Sequence, residues 1–420
     1  MKILIVTYGS QGDIRPLVAL GAGLVRAGHR VVFPADPAFR GLIERHGLDF
    51  APLSGDIRAA AAGAEGRAMY RRGANPVNLT RALMAMARAH ALDWGREFRA
   101  AAEGADAVLA AGLGFYTGLG LAQAVGALPV GVALQPMGPT AEFPPPLMTP
   151  RRLPSWANKG LHLALLALMW LAFRGPVNRV RREVLGLPPL GLAALFAEWP
   201  RRGWPLLHGY SRHLVPPPAD WPDFIDITGF WTLDEAAAYA PPPALENFLA
   251  AGEPPVYVGF GSMAGYDPGE TTALVLRALG GRRAVLARGW GGLDAADLPP
   301  GVFGLDEAPH DWLFPRMAAI VHHGGAGTTA AALRAGRPSV VVPFLGDQPF
   351  WADRLHRLGA APPAVPRRRL TAEALAAAIR AAEAPAMRDR AAALGAAVRA
   401  EDGIGHAVRA LERAVAARGR

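Results

Sequence analysis

The 420-residue sequence contains no cysteine. Disulfides, thiolate nucleophiles and cysteine-bound zinc are therefore outside its chemistry. Lysine is nearly absent too: of 44 basic side chains only Lys2 and Lys159 are lysine, against 35 acidic ones, for a net charge of +9. No glycine run is followed by Lys-Ser/Thr, which argues against ATP hydrolysis of the Walker type. The arginines are scattered in doublets and the triplet Arg367-Arg368-Arg369, with no signature of a nucleic-acid module. No nucleic-acid partner is expected, although this charge suits weak attraction to anionic membranes. No Asp-x-Asp signature or zinc-ligand spacing stands out, and no metal site is expected. The longest apolar stretch, Leu161 to Phe173, has about 13 residues where a membrane span needs about 20, and predicts a buried or interfacial helix. Met1-Lys2 runs directly into Ile3-Leu4-Ile5-Val6, too short for a signal segment, which predicts a first core strand and a cytoplasmic protein.

What is present is 51% hydrophobic sequence, long enough for two domains with their own cores. The first half opens with strand Lys2–Thr7, the glycine loop Gly9-Ser10-Gln11-Gly12-Asp13, and a helix begun by Pro16 and closed near Gly28. Strand Arg30–Phe33, helix Pro37–His46 and strand Asp49–Leu53 complete a βαβαβ unit. After a looser, proline-rich stretch from Gln135 to Pro205 and the breaks at Pro241-Pro242-Pro243 and Pro254-Pro255, the pattern restarts. Strand Val256–Phe260 leads into the loop Gly261-Ser262-Met263-Ala264-Gly265. The expected fold class is α/β: two doubly wound, Rossmann-like parallel-sheet domains facing a cleft, with ligands at the strand carboxyl ends. The expected boundaries are 1–230 for an acceptor-side domain, 231–255 for a linker, 256–395 for a second domain, and 396–420 for a terminal helix packing back on the first.

The most informative stretch is His322-His323-Gly324-Gly325-Ala326-Gly327-Thr328-Thr329, preceded by the apolar strand Ala318–Val321. It reads as strand end, glycine turn and helix start. Such a helix start presents bare N–H groups and the positive end of the helix dipole, and a diphosphate fits that geometry and charge. The adjacent His322 and His323 point to opposite sides if they end a strand, so one of them is a packed, structural histidine.

Together with Gly9–Pro16, Ala308-Pro309-His310-Asp311-Trp312-Leu313-Phe314-Pro315 and Pro343-Phe344-Leu345-Gly346-Asp347-Gln348, this run resembles the nucleotide-sugar glycosyltransferases of the GT-B fold. Within them it is similar to the sterol glucosyltransferases and the bacterial antibiotic-aglycone glycosyltransferases. The resemblance spans most of the chain but is weak over about residues 55 to 220. It implies a carboxy-terminal domain for the nucleotide sugar, an amino-terminal domain for the acceptor, and transfer in the cleft with inversion. Asp13 is then the catalytic base, in a loop with Gly9, Ser10 and Gly12 on the acceptor side. His323, Gly325, Ala326, Gly327 and Thr328 hold the donor diphosphate, with Ser262 facing them.

Asp347 and Gln348, a carboxylate beside an amide, suit vicinal hydroxyls of an unmodified hexose, and similar proteins use this pair for the donor sugar. A helix N-cap is the alternative for Asp347, and both roles are compatible. Ala308 and His310 mark the nucleobase loop. Glu307 stands where many plant relatives place a base-stacking tryptophan, so uridine versus thymidine is open, and Trp312 reads as a packing residue. No cofactor is expected beyond the co-substrate, with UDP-glucose first, and the partner is a small lipophilic acceptor of sterol or triterpenoid type. A dTDP-sugar with an antibiotic or polyketide aglycone, and a sugar-nucleotide epimerase on the same fold, are the alternatives. A silent partner protein is disfavoured by the retained Asp13 and cradle, and a dinucleotide oxidoreductase by the lack of Gly-x-Gly-x-x-Gly spacing. Leu161–Phe173, with Met169, Trp170 and Phe173, lines a lipophilic cleft, rests on a membrane, or is an ordinary core helix.

Overall fold

The computed structural model describes residues 1–9, 11–54, 76–148, 153–261, 267–288, 293 and 298–418. Its first half runs β1 (Lys2–Val6), α1 (Gln11–Arg26), β2 (Arg30–Ala35), α2 (Arg40–Glu44), β3 (Asp49–Pro52), α3 (Pro76–Ala101), β4 (Ala107–Ala111), α4 (Phe115–Val125), β5 (Leu128–Ala133), α5 (Ser155–Glu183), α6 (Leu192–Arg202), β6 (Leu206–His208) and β7 (Ile225–Ile227). The second half runs α7 (Pro243–Ala250), β8 (Val256–Gly259), α8 (Pro268–Leu279), β9 (Ala284–Ala287), β10 (Val302–Leu305), α9 (His310–Leu313), β11 (Ile320–His322), α10 (Ala326–Arg334), β12 (Ser339–Val341) and α11 (Gln348–Arg357). It closes with α12 (Ala372–Ala382), α13 (Pro385–Arg399) and α14 (Gly403–Arg418).

The strands form two parallel sheets, ordered β3-β2-β1-β4-β5-β6-β7 and β10-β9-β8-β11-β12. Each has the same five-strand plan, in which the first strand lies at the centre and the order reverses beside it. Ile3 to Val6 and Ala107 to Ala111 are apolar without alternation because helices cover both sheet faces. One face of the first sheet packs under α1 through Leu17, Leu20 and Leu24. The other packs under α3 and α4 through Trp94, Phe98 and Leu121.

Four boundaries differ from the sequence expectation. The helix after β1 begins at Gln11 rather than at Pro16, so Gly12 and Asp13 sit in its first turn. Proline at position 16 withholds one intrahelical hydrogen bond, which a helix tolerates near its start. The expected linker 231–255 contains α7, whose Leu245 is fully buried with Tyr257 and Phe314 and so belongs to the second domain. The expected break at 395/396 falls inside α13, which stays on the second domain because Gly395 lies against the backbone of Leu333 and Gly336. Only α14 crosses back: Ala407, Val408 and Leu411 enter the core beneath α1, and His406 Nε2 lies 2.8 Å from Asp226 Oδ2. Finally, the apolar run Leu161–Phe173 is part of a 29-residue helix, α5.

The two halves also share an apolar seam. Tyr210 and Phe143 of the first meet Trp351 and Phe350 on α11 of the second, with ring centroids 5.8 and 5.7 Å apart. The chain crosses this seam at 229–231 and returns at 399–403, where Gly229 and Gly403 pack backbone to backbone.

Candidate active site

Both reversals of strand order open onto one cleft. In the first sheet the reversal lies between β1 and β4, so the loop that leads from β1 into α1 faces it. A side chain at Gly114, after β4, would stand 2.7 Å from the Val6 carbonyl oxygen, which keeps these two loops pressed together. Asp13 is exposed in the first turn of α1, with its carboxylate folded over Gly9 so closely that a side chain there would collide with it. Ser10 and Ser262 lie outside the described residues.

In the second sheet the reversal lies between β8 and β11. After β11, Gly324 takes φ +89°, and a Cβ there would come within 2.7 Å of Val341, so the turn requires glycine. Gly325 is the N-cap of α10, and no side chain caps the helix. The first-turn N–H groups of Ala326, Gly327 and Thr328 therefore have no intrahelical acceptor, and together with the helix dipole they form an anion cradle.

The two histidines part as their strand register requires. His322, fully buried, accepts from the Gly324 N–H through Nδ1 at 3.1 Å and is the structural one. His323 lies against the glycines of both loops: a Cβ on Gly261 would be 3.1 Å from its Cε1, and one on Gly325 would collide with Nε2. Its Nδ1 is buried and has no partner among the described residues. Burial lowers His322 to about 3 and His323 to about 4, and His310 is also lowered to about 4 by burial and by the Arg15 charge. All three imidazoles are thus neutral at pH 7, and the positive potential of the cradle comes from N–H groups rather than imidazolium.

After β12, the Gln348 side-chain carbonyl accepts from the Phe344 and Leu345 N–H groups at 2.7 and 3.1 Å. This fixes the 344–347 turn and aims its neighbour. Asp347 occupies the N-cap position of α11 but makes no capping bond. Its Oδ2 instead accepts from Trp351 Nε1 at 2.6 Å. Burial raises the Asp347 carboxyl to about 6, opposed by the Trp351 hydrogen bond and reinforced by the negative charge of Asp13. The two carboxylates, one from each domain, are thus within electrostatic reach of each other.

Contacts absent from the sequence reading hold this arrangement. Arg15 on α1 pairs with Glu235, which Arg45 also reaches at 3.1 Å. Asp311 accepts from the N–H groups of Glu235 and Ala236, both at 2.8 Å. The start of α1 is thereby tied to the loop carrying Ala308 and His310, where His310 stacks on Phe314 with centroids 4.2 Å apart. Trp312 packs edge-on to Tyr239 and under Arg316, as a packing residue should. Among the described residues no group of His, Asp or Glu is arranged to hold a metal.

A small apolar pocket of about 40 Å³ lies beside the end of β1, between α3, α4 and α5. Tyr8, Trp94, Leu113, Thr117, Phe173 and Val177 line it. Tyr8 packs tilted against Trp94 with ring centroids 4.6 Å apart, and burial pushes its phenol well above the usual range. Sequence reasoning named Phe173 but not Tyr8 or Trp94. The only signal was an aromatic directly before Gly9.

Comparison with known proteins agrees with this geometry. Residues 3–104 match the glycosyltransferase family 28 N-terminal domain, and residues 289–411 match the erythromycin biosynthesis protein CIII-like C-terminal domain. A sterol 3-beta-glucosyltransferase of Arabidopsis thaliana is 35% identical over 98% of this chain and 68% of its own length. An O-mycaminosyltylonolide 6-deoxyallosyltransferase of Streptomyces fradiae is 38% identical over 98% of this chain and 97% of its own. The chain spans about two-thirds of the plant sterol enzymes' length and about a quarter of a Leptosphaeria maculans one. The solved glycosyltransferase of kitacinnamycin superposes with a TM-score of 0.72 at 22% identity, covering 98% of both chains.

Proposed function

The chain belongs to the GT-B nucleotide-sugar glycosyltransferases, and from that premise we propose that it is an inverting O-glycosyltransferase moving glucose, or a similar hexose, from UDP-sugar to a hydroxyl of a lipophilic acceptor such as a sterol or triterpenoid. The observation that carries the reading is the uncapped start of α10 with His323 packed against Gly261 and Gly325, and with Asp347 and, from the other domain, Asp13 within electrostatic reach of each other.

The acceptor oxygen attacks the anomeric carbon from the face opposite the leaving group. Its proton passes to the Asp13 carboxylate, a new carbon–oxygen bond forms, and the bond from the anomeric carbon to the phosphate oxygen breaks, with its electron pair leaving on the nucleoside diphosphate. The N–H groups of Ala326, Gly327 and Thr328 meet that charge, and His323, neutral, donates its ring N–H there. Donors already in place in a site closed to water contribute roughly 3 to 4 kcal/mol each, enough to replace a metal, so the reaction is proposed to be metal-independent. Asp347 accepts from hydroxyls of the donor sugar, the Gln348 side-chain amide adds a donor, and the 308–310 loop reads the base. The small apolar pocket beneath Tyr8 is proposed to meet one edge of the acceptor.

A second reading has its own support. The Streptomyces fradiae deoxysugar transferase matches over nearly its whole length, whereas the plant sterol enzymes extend well beyond the match. A dTDP- or UDP-sugar transferase acting on an antibiotic or polyketide aglycone fits the same geometry. Incubating UDP-glucose and dTDP-sugars with sterols, triterpenoids and macrolide aglycones, and measuring released diphosphate, separates the two. Release that requires a sterol or triterpenoid supports the first reading, and release that requires an aglycone supports the second. Conversion of the nucleotide sugar without any acceptor contradicts both and indicates an epimerase.

A further inference from the structure

Every exposed large apolar side chain among the described residues falls between Leu147 and Leu171. Most lie on α5, a helix that is apolar on both sides. Its inner face is built into the fold: Trp170, Phe173 and Val177 are buried, Asn158 donates to the Ala141 carbonyl at 2.9 Å, and His162 lies 3.0 Å from the Phe143 carbonyl. Its outer face carries Trp156 at 79% exposure, Leu168 at 63%, and Leu163 and Leu171 at 43% and 46%. The stretch from Trp156 to Leu171 is about 22 Å long at 1.5 Å per residue. A surface helix ordinarily turns polar side chains outward, and scattered single apolar residues need no partner, but a contiguous strip does.

Along the segment itself the charge has one sign, and Asp220, paired with Lys159 at 3.2 Å, comes from a later loop. From Phe143 to Arg182 the sequence holds seven basic residues and no acidic one. Lys159, paired with Asp220, and exposed Arg174 flank the strip, and Arg182 is exposed two turns farther on. Tryptophan at one end and arginine at the other is the composition of a helix lying in a lipid interface. Among the described residues α5 is also the one helix long and apolar enough to cross a bilayer. Its buried inner face and polar anchors hold it on the protein surface instead.

We propose that the face formed by residues 147–148 and 153–171 docks on an anionic lipid bilayer, with α5 lying in the plane of the interface. Phe173, Pro176 and Val177 of the same helix wall the apolar cavity beside Tyr8. A lipophilic molecule partitioned in the bilayer then reaches that cavity along one helix without crossing water.

The test is sedimentation of the full chain with phosphatidylcholine vesicles, with and without phosphatidylglycerol, and it reads binding without any transfer assay. Wild type is expected to sediment with the anionic vesicles and to be released as salt is raised. Trp156→Ser/Leu168→Ser/Leu171→Ser removes only exposed side chains. It is expected to lose at least about tenfold in partitioning with an unchanged melting temperature. Arg174→Glu/Arg182→Glu is expected to lose the preference for anionic lipid. Failure of wild type to bind anionic vesicles, or a triple variant that binds as well as wild type, overturns the proposal. So does a wild-type dimer in light scattering that the triple variant turns into monomers, which assigns the face to a second copy of the chain.

Discussion

The carboxyl of Asp347 makes a two-sided test of the site. Burial and the negative charge of Asp13 raise it from 3.8 to about 6 in the folded chain. The folded state therefore holds this proton more tightly than the unfolded chain does. Its ionisation costs stability, with the loss appearing as pH rises through about 4 and complete above about 6. A shift of two units corresponds to about 3 kcal/mol, an upper figure for a group that is only partly covered. Asp347→Asn keeps an oxygen for Trp351 Nε1 and removes the charge. It should melt a few degrees higher than wild type at pH 7.5 and equally at pH 4.

Donor binding should run in the opposite sense. If only the carboxylate accepts from the sugar hydroxyls, the dissociation constant of UDP-glucose, measured by calorimetry in the inactive Asp13→Asn background, rises about tenfold per pH unit below the Asp347 midpoint. That background removes a repelling charge, so its midpoint lies below that of wild type. UDP, lacking the sugar, should show no such dependence. A donor affinity flat from pH 4 to 7.5, or a melting difference between Asp347→Asn and wild type that does not change with pH, refutes the placement of this carboxylate.

Three other substitutions probe separate parts of the account. Asp13→Asn should lower kcat by about 10² to 10⁴ while leaving the donor KM within a few-fold, and steady-state kinetics with saturating acceptor check this. Gly324→Ala forces a side chain into positive φ against Val341 and should destabilise by about 1–3 kcal/mol in urea unfolding, more than Gly327→Ala, where nothing lies within 4 Å. Leu411→Ala, in the core beneath α1, should cost about 2–4 kcal/mol, and equal stability would mean that α14 is not part of the folded unit.

The repeated strand–glycine–helix openings were legible in sequence because both sheets are covered on two faces and their strands are continuously apolar. The His322–Thr329 turn was legible because positive φ and close packing leave glycine as the only choice at position 324. The start of α1 was misplaced because Pro16 imitates a first-turn proline. The reach of the second domain was misread because proline clusters flank α7 and hide a helix whose burial depends on the distant Phe314. Arg15, Glu235 and Asp311 left no local signal. They lie on three elements far apart in sequence, and their pairing appears only once the domains are assembled. Tyr8 and Trp94 were missed for the same reason, and the full length of α5 because its polar anchors interrupt the apolar run.

The most direct measurement is calorimetric titration of UDP and dTDP into the wild-type chain in EDTA, repeated with Gly325→Val, which drives a side chain into His323. At least one of the two nucleotides is expected to bind wild type without a metal and to lose most of its affinity in the variant. No binding of either nucleotide, or binding that the variant leaves intact, contradicts a diphosphate held at the start of α10.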